Sequence, residues 1–244
     1  MTEGALYGVG VGPGDPDLIT VKAVQVLSEA SHIFTPQAEP AAESLALKIA
    51  EKHVNPSAEI HTLVFPMLRD REKLEKWWGK AAGRVAEVLR EGEDGCFLTL
   101  GDPLLYSTYI YLMRRLKELI PGTCIDTVPG ITAMNAAAAL TDTPLGEGDQ
   151  SLEVLPAVED LQWVRRTLQG HDGTAVLMKI GRRLPEVLDM LEELGLTQDA
   201  TFVARAGLDR QRVETDVTRL RGEEQQSGYL SIMLVRCGRR ETER

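Results

Sequence analysis

A chain of 244 residues, 43% hydrophobic and 26% charged, can bury one large core or two modest ones. Its 37 acidic against 27 basic residues give a formal charge of -10, which argues against nucleic acid or an anionic membrane as main partner, because both demand a basic surface. No apolar run approaches the roughly 18 residues that span a bilayer, and the N-terminus lacks the basic-then-apolar order of a signal peptide, so a cytoplasmic protein is expected.

In chain order, "ALYGVGV" (5–11) reads as a strand and "DLITVKAVQVLSEA" (17–30) as a helix with apolar spacing of three and four. "HIFTP" is a second strand ended by Pro36, "AAESLALKIAEKHV" a helix and "EIHTLVF" a third strand. Residues 70–91 predict a long helix opened by Asp70 as N-cap. "GCFLTLGD" has the unbroken apolar texture of a central parallel strand. "STYIYLMRRLKELI" is a helix stopped by Pro121-Gly122, and "CIDTVPG" a fifth strand. Strands alternating with helices predict a mostly parallel, doubly wound sheet.

Beyond Pro129 the texture changes. "ITAMNAAAALT" is a small-residue helix, and "LPEVLDMLEELG" another. "SLEVLPA", "TAVLMKI", "ATFVARAG", "QRVETDV" and "LSIMLVRC" read as strands; the short gap between the third and fourth favours a hairpin and hence a mixed sheet. The fold class is therefore α/β: residues 1–129 and 130–244 as two α/β domains with a cleft between them, and a frayed "GRRETER" tail. Cys96, Cys124 and Cys237 show no metal-ligand spacing and are read as buried free thiols. His32, His53, His61 and His171 are likewise scattered, so no protein-bound metal is expected.

Gly10, Gly12 and Gly14 follow the first strand, yet the order is G-x-G-x-G-D-P, with acids where a dinucleotide fingerprint has its third glycine. Pro13 and Pro16 remove two of the amides that would cradle a pyrophosphate. These residues suit either a tight turn capped by Asp15 or Asp17, or a loop that brings backbone close to a ligand. Gly101-Asp102-Pro103 and Pro129-Gly130 close two further strands in the same way. Three such turns on one sheet edge favour a binding edge.

"GVGPGDPDLIT", "LTLGDP" and "VPGIT" together resemble the tetrapyrrole methylases, and the resemblance covers nearly the whole chain. "FPMLRD", "LTLGDPLLYSTYIYLMRRL", "VPGITAMNAAAA" and "PLGEGDQSLEVLPA" resemble the members that methylate C20 of precorrin-2 or its cobalt-containing counterpart, cobalt-factor II, in cobalamin biosynthesis. Uroporphyrinogen methylases carry an aspartate at the end of the second strand; Pro36 occupies that region here, which argues against siroheme-type methylation. The resemblance implies S-adenosylmethionine as cofactor, contacted by Pro13, Gly101, Asp102, Leu105, Thr132, Ala133, Ile180, Ala206 and Gly207. It also implies a homodimer.

A tetrapyrrole with eight carboxylates needs local positive charge, for which Arg182, Arg183, Arg205, Arg210 and Arg212 are candidates. Tyr106, Ser107 and Tyr109 are candidates for the ring face, and the resemblance alone implies Glu147 or Asp149 for the C20 proton. Trp77 and Trp78 are adjacent on a helix, so one faces inward and the other is free for a partner subunit. Three alternatives stand beside this reading: methylation at another ring carbon, a non-catalytic nucleotide-binding module, and the family branch acting on ribosomal RNA or diphthamide precursors.

Overall fold

A computed structural model describes residues 3–39, 43–157, 160–222, 228 and 230–238. The chain divides into two compact units, Met1–Thr132 and Ala133–Arg244. In the first, strands β1 (Leu6–Gly10), β2 (His32–Gln37), β3 (Glu59–Val64), β4 (Gly95–Thr99) and β5 (Ile125–Val128) form a wholly parallel sheet in the order β3-β2-β4-β1-β5. Every residue of β4 is buried, as a continuous apolar strand demands.

Helices α1 (Val21–Glu29), α2 (Leu45–Ala50), α3 (Arg71–Arg90) and α4 (Tyr109–Leu119) make the connections. Side-chain caps fix where the first three begin. Thr20 accepts from the Ala23 amide (3.2 Å), Ser44 from Leu47 (3.3 Å) and Asp70 from Lys73 (3.2 Å). Each such cap stabilises its helix by about 1 kcal/mol. Along α3, Ala81, Ala82, Val85, Ala86 and Leu89 share a core with Phe34, Phe97 and Tyr109. The Tyr109 ring fills the space a Cβ would take at Gly8, and its hydroxyl shares a 2.9 Å hydrogen bond with Thr127.

The second unit carries β6 (Ser151–Pro156), β7 (Gly173–Met178), β8 (Ala200–Ala204), β9 (Arg212–Glu214) and β10 (Ser231–Cys237), ordered β6-β7-β10-β8-β9. β6 and β7 are parallel; β10 runs antiparallel to β7 and β8, and β8–β9 is the expected antiparallel pair. Alternation along β10 separates two cores. Ile232 and Leu234 pack with Ala136 and Ala137 of α5 (Ala133–Thr141), whose small side chains fit a close approach. Met233 and Val235 pack with Val164 and Leu168 of α6 (Leu161–Gly170) and with Val187 and Leu191 of α7 (Leu184–Glu193).

The structure corrects several expectations. The first helix starts at Val21, after a 3-10 turn at Pro16–Leu18, because Thr20 supplies the cap that Asp17 does not. Pro36 does not end β2: pairing with β4 stops at Phe34, so no ladder donor is missed, while pairing with β3 runs on to Gln37. The second helix is short, passing into a 3-10 turn at Glu51–His53, and its expected first residues at 41–42 lie outside the described residues. Helix α6 was not expected; Asp160 accepting from the Trp163 amide (2.9 Å) and apolar Leu161, Val164 and Leu168 are the signals that define it. "QRVETDV" yields only three strand residues before a 3-10 turn at Val217–Leu220.

Cys96 and Cys237 are buried, but Cys124 is exposed, since it precedes β5 instead of lying within it. Tyr109 is wholly buried and cannot line a ligand face. Trp78 leans on the α3–α4 core and stacks on Tyr111 at 4.2 Å, whereas Trp77 lies under the Lys80 ammonium. The tail at 239–244 falls outside the described residues.

Candidate functional site

β1 continues through α1 to β2 on one side of β4, whereas β4 continues through α4 to β5 on the far side of β1. The connections leaving these two neighbours therefore run in opposite directions. Sheets of this type bind ligands at the carboxyl ends of such a strand pair, and here both ends carry Gly/Pro loops.

The loops lock together through backbone. The Val11 amide donates to Thr99 O (2.9 Å) and the Gly101 amide to Gly12 O (2.7 Å), which makes an antiparallel bridge beyond the parallel strands. A Cβ on Gly10 would lie 2.6 Å from both Gly101 O and Gly130 N, and a Cβ on Gly130 would overlap Gly101 O. Gly12 and Gly101 take left-handed φ of +79° and +72°. Close approach of backbone segments explains glycine at 10 and 130, and left-handed φ explains it at 12 and 101.

Asp102 is the staple. Its Oδ1 accepts from the Leu104 amide (2.9 Å) and its Oδ2 from the Gly130 amide (3.1 Å), joining the second and third loops. Asp15 is likewise committed: it caps the 3-10 turn by accepting from the Asp17 amide (2.9 Å). Pro13 is buried in this nest, Leu105 is half-buried, and Thr132 and Ala133 lie where the third loop enters α5. Of the ring-face candidates, Tyr106 is exposed with a left-handed φ of 53°. Ser107 is buried, its hydroxyl accepting from the Tyr109 amide (3.0 Å) and 3.4 Å from the Thr99 hydroxyl.

In the second unit, antiparallel pairing brings the carboxyl ends of β7 and β8 and the amino end of β10 to one sheet edge. Left-handed backbone gathers there: Lys179 (57°), Gly181 (51°), Arg205 (55°), Gly207 (73°) and Leu230 (52°). The Arg205 amide donates to Leu230 O (2.9 Å), and a Cβ on Gly228 would overlap Gly181 O. Non-glycine residues held at positive φ cost about 1–2 kcal/mol each and concentrate at functional edges.

Ile180, Ala206 and Gly207 stand on this edge, with Ile180 buried in the core and the Gly207 amide donating to Gln211 Oε1 (2.7 Å). Arg182 and Arg210 are exposed; the Arg205 Nε donates to Asp209 O (3.0 Å). Arg212 is paired with Glu214 (3.2 Å), and Arg183 lies 3.8 Å from Glu186. Glu147 and Asp149 are exposed. Lys179 and Leu230 are the members of this edge that sequence reasoning missed; left-handed backbone at a residue with a side chain has no motif of its own.

Both edges offer main-chain groups in close-packed turns.

The sequence profile of the tetrapyrrole (corrin/porphyrin) methylases matches residues 5–220. A probable cobalt-precorrin-2 C(20)-methyltransferase of Methanocaldococcus jannaschii is 38% identical over 202 residues, 81% of this chain and 83% of that protein. The cobalamin biosynthesis protein CobIJ of Mycobacterium tuberculosis is 37% identical over 248 residues, 98% of this chain but 47% of its own length, so the chain spans about half of that relative. Among solved structures, the cobalt precorrin-4 methyltransferase CbiF superposes with a TM-score of 0.71 at 25% identity, over 95% of this chain and 94% of that one.

The fold and its glycine-locked loops thus define an α/β protein with the methylase-type architecture. More particularly, the chain belongs to the tetrapyrrole (corrin/porphyrin) methylase family.

Proposed function

We propose that this chain transfers a methyl group from S-adenosylmethionine to C20 of precorrin-2 or of its cobalt-containing counterpart, cobalt-factor II, in cobalamin biosynthesis. The observation that carries the reading is the triple backbone lock of Gly10, Gly101 and Gly130 at the β1–β4 switch point, in a chain whose relatives include a C(20)-methyltransferase. When bound, S-adenosylmethionine supplies an electrophilic methyl group on a sulfonium.

The chain's own work is alignment. Pro13, Gly101, Asp102, Leu105, Thr132 and Ala133 hold one part of the cofactor, and Ile180, Ala206 and Gly207 another. Asp102 acts through the loops it staples as well as through its remaining lone pairs. Tyr106 and Ser107 border the tetrapyrrole, while Arg182, Arg205 and Arg210 meet its carboxylates, for which the guanidinium fork is suited. Orientation of this kind alone supplies several orders of magnitude of rate. Glu147 or Asp149 takes the proton that leaves C20.

The reading carries with it a homodimer working in the cytoplasm; among the described residues no helix is long and apolar enough to cross a membrane. Sedimentation of the purified protein tests the dimer. The decisive experiment offers precorrin-2 and cobalt-factor II separately with methyl-labelled cofactor, then locates the label by mass spectrometry and NMR. Label at C20 is expected. Label at another ring carbon, or cofactor binding with no transfer to either substrate, would overturn the proposal.

A further inference from the structure

At the amino edge of the parallel sheet, opposite the Gly/Pro loops, His32 opens β2, Glu59 opens β3, and His61 stands two residues further along β3. The parallel register sets His32 beside Glu59 and Phe34 beside His61. Alternation puts all four side chains on one face of the sheet. His32 Nδ1 is 2.9 Å from His61 Nε2, and the Glu59 carboxylate reaches within 4.0 Å of His32 Nδ1 and 3.5 Å of His61 Nδ1.

Among the described residues, these three side chains form a group whose donor atoms all lie within 4.8 Å of one another. The buried Phe34 ring stacks on His61 at 4.9 Å and holds it in place. Side-chain exposure rises from 5% at His61 through 16% at His32 to 62% at Glu59, so the group is anchored on one side and open to solvent on the other.

We propose that His32, His61 and Glu59 bind a single divalent transition-metal ion of the zinc, cobalt(II) or nickel class. Two imidazoles and one carboxylate suit such ions, whereas calcium and magnesium prefer oxygen ligands throughout. Metal–nitrogen bonds of about 2.0–2.1 Å in a tetrahedral shell set the two nitrogens about 3.3 Å apart. From 2.9 Å, the imidazoles need to part by only a few tenths of an ångström. Three protein ligands leave a position for water. The strands themselves separate this site from the loops at the carboxyl edge.

Arg84 of α3 controls access to it. Its Nη2 lies 3.3 Å from His61 Nδ1 and 3.6 Å from Glu59, and its Nη1 donates to Glu87 (2.9 Å). A guanidinium only donates, so His61 Nδ1 accepts and its proton sits on Nε2, donated to His32. Ligation through Nε2 requires the other tautomer. Arg84 and the metal therefore compete for one imidazole, and Glu87 is a second carboxylate already within reach of Arg84.

The test uses tag-free, chelator-stripped protein titrated with Co2+ and then Zn2+, followed by calorimetry and visible absorption. One equivalent of Co2+ is expected, displaced by Zn2+. His32→Ala and Glu59→Gln should each weaken binding by about tenfold or more, and Arg84→Ala should tighten it several-fold. Cys124→Ser, which removes the exposed thiol, should change nothing. His61→Ala should abolish binding; where that variant fails to fold, His32→Ala decides. Equal affinity in wild type and His32→Ala, no saturable binding up to about 100 µM metal, loss of binding in Cys124→Ser, or equal affinity for Mg2+ would each overturn the proposal. Protein and metal alone are present, so the outcome is independent of the methyl-transfer reading.

Discussion

The two sheet edges that hold the candidate residues, one in each unit, are built by different means. At the carboxyl edge of the first sheet, side chains are deleted: bare Gly10 and Gly130 let their backbones touch that of Gly101, and Asp102 ties the second loop to the third. At the β7–β8–β10 edge of the second sheet, side chains are kept and the backbone takes the strain, with Lys179, Arg205 and Leu230 all left-handed. The first edge presents main-chain atoms; the second adds the side chains of Lys179 and Arg205. At the three positions of that edge that keep a side chain, left-handed backbone is tolerated without glycine, beside Gly181, Gly207 and Gly228.

The largest expected effect separates glycines that look alike in sequence. Gly130→Ala forces a Cβ into Gly101 O, so cofactor affinity should fall at least about 100-fold and stability by roughly 3 kcal/mol. Gly83→Ala, in open space on α3, should raise stability by up to about 1 kcal/mol with turnover unchanged. Melting curves and a methyl-transfer assay read both. Similar effects of the two changes would break the distinction between locked and idle glycines.

Next comes the staple. Asp102→Ala frees the amides of Leu104 and Gly130 and should weaken cofactor binding by about tenfold, or roughly 1.4 kcal/mol, measured by calorimetry. Asp102→Asn, which keeps one acceptor oxygen, should recover part of that loss. Equal losses would show that the negative charge matters more than the tie.

The second edge should respond in the opposite direction. Lys179→Gly relieves a left-handed residue and should stabilise by about 0.5–1 kcal/mol net. If that edge keeps its side chains for substrate, KM should rise while cofactor affinity holds. The smallest effect is chemical. Burial pushes the Cys96 thiol up to about 12 and Cys237 up to about 11, so neither becomes a thiolate near pH 7. A maleimide should label Cys124 alone in the native protein, up to about pH 9, and all three thiols after unfolding.

Most of the architecture was legible because it is written in local chemistry. The apolar run of β4, the Asp70 cap and the alternation along β10 each announce their element. The loops were legible as well, since glycine and proline mark backbone that must approach closely. Other features depended on tertiary context. Pro36 stays in its strand because β4 has already withdrawn, which no local pattern reports. Tyr109 looked like a ligand-facing aromatic until the bare surface of Gly8 beneath it became visible. The His32–His61 pair is brought together only by strand register, because spacing along the chain carries no trace of it.

The contact of Gly10 with Gly130 joins the first strand of the unit to the loop after its last. Long-range closures of this kind form late, once the intervening chain has been ordered. During synthesis, a ribosome-bound chain whose β5 is still in the exit tunnel has the first two loops but not the third. The cradle comes into being only when β5 docks beside β1. A ligand held there binds the finished sheet and not its precursors, and by mass action adds its affinity to the stability of the completed fold. Under the proposed methyl-transfer reading, cofactor supply would then bear on how much folded protein accumulates in the cell as well as on its rate.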